Sequence, residues 1–64
     1  MTPSKMYQKV LSEVKRRDKA AAKAGVVLKA GPYGKIGDGT LIKWLIANKD
    51  TVIQLLPVII SLFG

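Results

Sequence analysis

The sequence predicts an all-α chain made of two helices of opposite character joined by a glycine-rich connector. Three observations carry this. An apolar stripe at helical spacing occupies the first third. Four glycines and a proline crowd residues 31–39, and a nearly continuous apolar run fills 41–63. The predicted segments are a basic amphipathic helix in 1–25, a flexible connector in 26–39, and an apolar helix in 40–64.

The first helix is expected over about 3–24. Pro3 suits a first turn, and Glu13, Lys15 and the run Ala20-Ala21-Ala22 are good helix formers. Met6, Tyr7, Val10, Leu11 and Val14 follow i, i+1, i+4, i+5, i+8, which makes one apolar stripe. Beyond Val14 the stripe fades into Arg16-Arg17-Asp18-Lys19 and small alanines. Gly25 stands where a left-handed cap would close the helix.

Residues 26–39 read as a hinge built on Gly31, Pro32, Gly34, Gly37 and Gly39. Val26-Val27-Leu28 suits a short extended piece, for which no partner strand is evident. Two phosphate-loop readings fail here. Lys29 stands where the Walker pattern needs its first glycine relative to Gly34-Lys35. Gly37-Asp38-Gly39 is followed by Ile42 where the dinucleotide fingerprint needs glycine.

The second helix is expected over about 40–63, with Asp38 or Thr40 as its N-cap. Its polar or small positions are Lys43, Ala47, Asp50, Gln54, Pro57 and Ser61, spaced by 4, 3, 4, 3 and 4. They form one narrow stripe and leave the rest of the circumference almost wholly apolar. Asp50 and Thr51 allow a break near 49–51, and Pro57 allows a kink. Trp44, Leu45, Ile53, Leu55, Leu56, Ile59, Ile60 and Phe63 are the expected membrane or assembly anchor. The chain is expected to lack an independent globular core, and an isolated monomer is disfavoured.

As a membrane span this half is marginal. The uncharged run 51–63 reaches roughly 20 Å, short of the ~30 Å hydrocarbon core. Extension back to residue 41 gives roughly 35 Å but places Lys49 and Asp50 near the middle, at about 2.5–3.5 kcal/mol each. Trp44 beside Lys43 suits a headgroup-depth anchor or a packed interface.

Charge narrows the function classes. The chain holds 11 Lys and Arg against 4 Asp and Glu, a formal net charge of +7, with the excess concentrated before residue 40. Lys15, Arg16, Arg17, Lys19 and Lys23 are the densest cluster and the expected anion-binding residues, although Lys-rich helices are also ordinary solvated faces. With no Cys and no His, the usual metal ligands and catalytic constellations are missing. No catalytic, cofactor-binding or metal residue is assigned, no cofactor is expected, and an enzyme is disfavoured.

The reading that best fits is a small basic structural or accessory subunit of a membrane complex or virion. Its tail would be anchored in lipid or among protein subunits, with the cationic half on the cytoplasmic or interior side. No secretory leader is visible, because no apolar stretch follows the charged N-terminus. The composition also resembles cationic, Cys-free bacteriocins, with high Lys, Trp44 and Leu/Ile-rich helices. That resemblance implies a secreted, leaderless, membrane-permeabilising peptide. A nonspecific nucleic-acid-binding virion protein, with phosphates on the N-terminal half, is a further alternative.

Overall fold

A computed structural model describes residues 2–63, with side chains described as far as Ser61. Phe63, named among the anchor residues, has its side chain outside the described residues. The element order is α1 (Pro3–Ala24), β1 (Leu28–Lys29), β2 (Lys35–Ile36), α2 (Thr40–Ala47), α3 (Lys49–Gln54) and α4 (Leu56–Phe63). The protein is mostly helical, as the sequence predicts.

α1 begins where Thr2 Oγ1 accepts from the Lys5 amide at 3.3 Å and Pro3 opens the first turn. It ends at Gly25, whose φ of 74° is the left-handed cap, and Gly25 N–H bonds back to the Ala22 carbonyl. Its 22 residues, roughly 33 Å long at 1.5 Å each, account for the 34 Å long axis of the molecule. β2, α2, α3 and α4 all pack against it.

The connector differs from the expectation of an unpaired extended piece. β1 and β2 form an antiparallel hairpin in which Leu28 pairs with Ile36 and Lys29 with Lys35. Gly31, Gly37 and Gly39 all take positive φ, and Pro32 sits exposed in the turn. Gly37 and Gly34 are also required by space. A side chain at Gly37 would collide with the Val26 carbonyl, and one at Gly34 would lie 2.7 Å from the Leu41 backbone.

The second half is three short helices. α2 ends at Asn48, whose side chain and backbone N–H both donate to the Trp44 carbonyl at 3.0 Å. The break thus falls just before the expected 49–51, and Asp50 lands in the first turn of α3, where a carboxylate is favoured. Pro57 produces a full break at Leu55. As the second residue of α4 it needs no intrahelical N–H partner, so the proline costs this arrangement nothing.

The expectation that the chain lacks its own core is corrected. Tyr7, Leu11, Val14 and Ala21 of α1 are buried with Ile36, Leu41, Leu45, Val52, Leu56 and Ile59. The buried positions of the second half are spaced by 4, 7, 4 and 3, opposite the stripe of Lys43, Ala47, Asp50, Gln54, Pro57 and Ser61, which is exposed throughout. Each half buries its apolar stripe on the other. Two polar contacts key the packing. The Tyr7 hydroxyl donates to the Leu45 carbonyl at 2.9 Å, satisfying one of the carbonyls at the end of α2. The Asp18 carboxylate accepts from the Gly37 and Gly39 amides at 2.7 and 3.0 Å.

Replacing Leu45 with Ala should cost about 2–5 kcal/mol by opening a cavity, read as a sharply lower Tm by circular dichroism. Ile46→Ala next to it, at a side chain 55 % exposed, should change stability by less than about 0.5 kcal/mol. Asp18→Ala should cost about 1–3 kcal/mol. It should also speed amide exchange at Gly37 and Gly39 above that of the α1 interior.

Candidate functional site

The helical repeat of α1 sorts its charges by face. Tyr7, Leu11, Val14, Asp18 and Ala21 follow one another at spacings of 4, 3, 4 and 3 on the packed side. Lys5, Lys9, Ser12, Arg16, Lys19 and Lys23, at spacings of 4, 3, 4, 3 and 4, lie on the opposite side and are all exposed. A row of five cations therefore runs the length of the helix, pointing away from the core. Lys15 and Arg17 flank it, also exposed.

All five expected anion-binding residues are on the surface, but they are not equivalent. Glu13 accepts from Arg16 Nη2 at 2.6 Å and from Arg17 Nε at 2.9 Å. These hydrogen bonds, Arg16 first, hold the Glu13 carboxyl down at about 2, and the same bond raises Arg16. Lys15, Lys19 and Lys23 form the rest of the cluster. Lys5 and Lys9 belong to the row as well, though they lie outside the dense run 15–23.

A second cationic place is the hairpin, where Lys29 and Lys35 stand directly opposite one another. Asp38 is near Lys35 but is engaged elsewhere. Its carboxylate accepts from the Thr40 hydroxyl at 2.7 Å and from the Thr40 amide at 3.0 Å, and these bonds hold its pKa below the usual carboxylate value. Asp38 thereby holds the start of α2 from one residue before the cap, which is Gly39.

The expected anchor residues divide into three groups. Leu45, Leu56 and Ile59 are buried core, and Trp44, Ile53 and Leu55 are half-buried against it. Ile60 is exposed. Trp44 stacks on Tyr33 of the hairpin loop, ring centres 4.3 Å apart and 21° from parallel, so each aromatic covers a face of the other. Lys49 Nζ lies 5.7 Å over the Tyr7 ring.

Among the described residues, no helix is long and apolar enough to cross a membrane. Likewise, no three of Asp, Glu, His and Cys gather as metal ligands among those residues. Compared with known proteins, the chain matches no family model, no curated protein and no solved structure.

The Glu13 shift has a readable sign. A carboxyl held below its ordinary 4.5 stabilises the fold fully above that pH, and the contribution disappears as pH falls toward 2. Because the pair is exposed, the effect on stability should be small. Carboxyl carbon NMR should give Glu13 a midpoint near 2, moving upward in Arg16→Ala.

Proposed function

We propose that this chain is a non-enzymatic cationic protein that acts on anionic lipid surfaces, in the manner of a membrane-permeabilising peptide. The observation that carries this reading is the cationic row of α1, turned away from the core in a chain that also leaves large aliphatic side chains exposed. Val26, Val27, Leu28, Ile46, Val58 and Ile60 are each at least 40 % exposed. Lysines near an anionic leaflet contribute about 1 kcal/mol each, and exposed aliphatics gain by entering the acyl boundary.

Two further points support lipid over nucleic acid as the target. A nucleic-acid surface rewards cations but not aliphatics, and stacking on unpaired bases needs open aromatic faces. Here Tyr33 and Trp44 are stacked on each other. The core also lends itself to exchange. A domain this small has roughly 3–5 kcal/mol of core stability, so adsorption energy of that size is enough to separate α1 from α2–α4. Leu41, Leu45, Val52, Leu56 and Ile59 would then trade protein contacts for hydrocarbon, while Lys43, Asp50, Gln54 and Ser61 stay toward water and headgroups.

A second reading, an accessory subunit of a membrane complex or particle, draws on the exposed Ile46, Val58 and Ile60 as a protein interface.

The test uses the purified chain with dye-filled vesicles of phosphatidylglycerol or of phosphatidylcholine. Release is expected from the anionic vesicles only, falling steeply as salt rises from about 50 mM to about 500 mM. Binding without release would favour the accessory-subunit reading. Failure to bind anionic vesicles at low salt would overturn the lipid reading.

A further inference from the structure

The end of the molecule beyond the α1 C-terminus carries three consecutive exposed aliphatic residues, Val26, Val27 and Leu28, at 45, 53 and 53 %. Ile46, Val58 and Ile60 are exposed singly, without a second large aliphatic exposed beside them in sequence. The segment is not a loose strand. The Val26 amide bonds to the Ala21 carbonyl at 3.0 Å, and Gly37 approaches the Val26 carbonyl too closely to admit a side chain. The Gly37 amide is held in turn by Asp18. The backbone is therefore held at Val26 and, through β1, at Leu28, while its side chains stay about half exposed.

Cations flank this ridge in the sequence and across the hairpin. Lys23 precedes it in the last turn of α1 and Lys29 closes it in β1, both exposed. Lys29 faces Lys35 across the hairpin, and like charges in that position repel. Both carboxylates at this end are engaged: Asp38, near Lys35, is bonded to Thr40, and Asp18 to the Gly37 and Gly39 amides. An apolar ridge with a collar of lysines, two of them opposed, matches a surface with hydrocarbon beneath a layer of negative charge. Long lysine side chains reach phosphates while the ridge sits deeper.

We propose that this hairpin end, the ridge Val26-Val27-Leu28 collared by Lys23, Lys29 and Lys35, is the part of the protein that enters the headgroup boundary of an anionic bilayer. The assignment rests on the lipid reading and adds which end of the molecule goes in. It makes Asp18 a positioning residue, because its carboxylate fixes the loop on which the ridge rests. It also orients α1 with its C-terminal end toward the membrane at first contact.

The native chain has no cysteine, so a single environment-sensitive fluorophore can be placed at Leu28→Cys or, for comparison, at the equally exposed Ile46→Cys. With phosphatidylglycerol vesicles, a blue shift is expected at position 28 and a smaller one at 46. In the unlabelled chain, Val27→Ser with Leu28→Ser should weaken vesicle partitioning about tenfold or more, with a clearly smaller loss from Ile46→Ser. Equal shifts at both labelled positions, or an equal loss from Ile46→Ser, would overturn the assignment while leaving the lipid reading intact. Absence of wild-type binding would overturn both. If the double variant loses its helical circular dichroism, the labelled pair alone decides.

Discussion

The fold turns on one carboxylate. Asp18 is the only charged residue on the packed stripe of α1, and it reaches two amides, those of Gly37 and Gly39, in the segment that leads into α2. Those amides lie in the bend between β2 and α2, and a bent backbone leaves N–H groups without secondary-structure partners. An ionised carboxylate is the strongest acceptor that a side chain offers them. With the turn held to α1, Gly39 places Thr40 and hence the start of α2, and the apolar stripe of the second half meets that of the first.

The two stripes must then match along their length. The breaks at Asn48 and Leu55 divide the second half into segments of eight, six and eight residues, yet the buried positions keep a helical rhythm across both breaks. At the first break two carbonyls of α2 find side-chain donors: Asn48 covers that of Trp44, and Tyr7 of α1 covers that of Leu45. Tyr7 thus serves the core twice, by its ring and by its hydroxyl, and its ring also lies under Lys49.

Much of this architecture is legible in the sequence. The bounds of α1 follow from Pro3, the alanine run and Gly25, because propensity and capping act locally. The polar stripe from Lys43 to Ser61 is legible too, and it is the outer face. The association of the halves is not. A charge at Asp18 ends the apolar stripe of α1 at Val14 to any reading by hydropathy, although the spacing of 14, 18 and 21 continues it. Asp18 is bonded to backbone amides, which carry no signature in the sequence. The pairing of Leu28 with Ile36 is equally hidden, because two-residue strands show no alternation. In the candidate site, the dense run 15–23 stands out by its position along the chain. Lys5 and Lys9 emerge only when the cations are sorted by helix face.

The unequal lengths of the helices bear on how the chain acquires its structure. α1 has 22 residues, an alanine run and caps at both ends, the features that favour helical turns ahead of packing. Isolated helices of fewer than about 12–15 residues are marginal in water, and α2, α3 and α4 all fall below that length. The second half therefore depends on the first as a template. Its helices form by condensing on an existing apolar strip, so chains in which α1 has not yet formed have no stable place to begin.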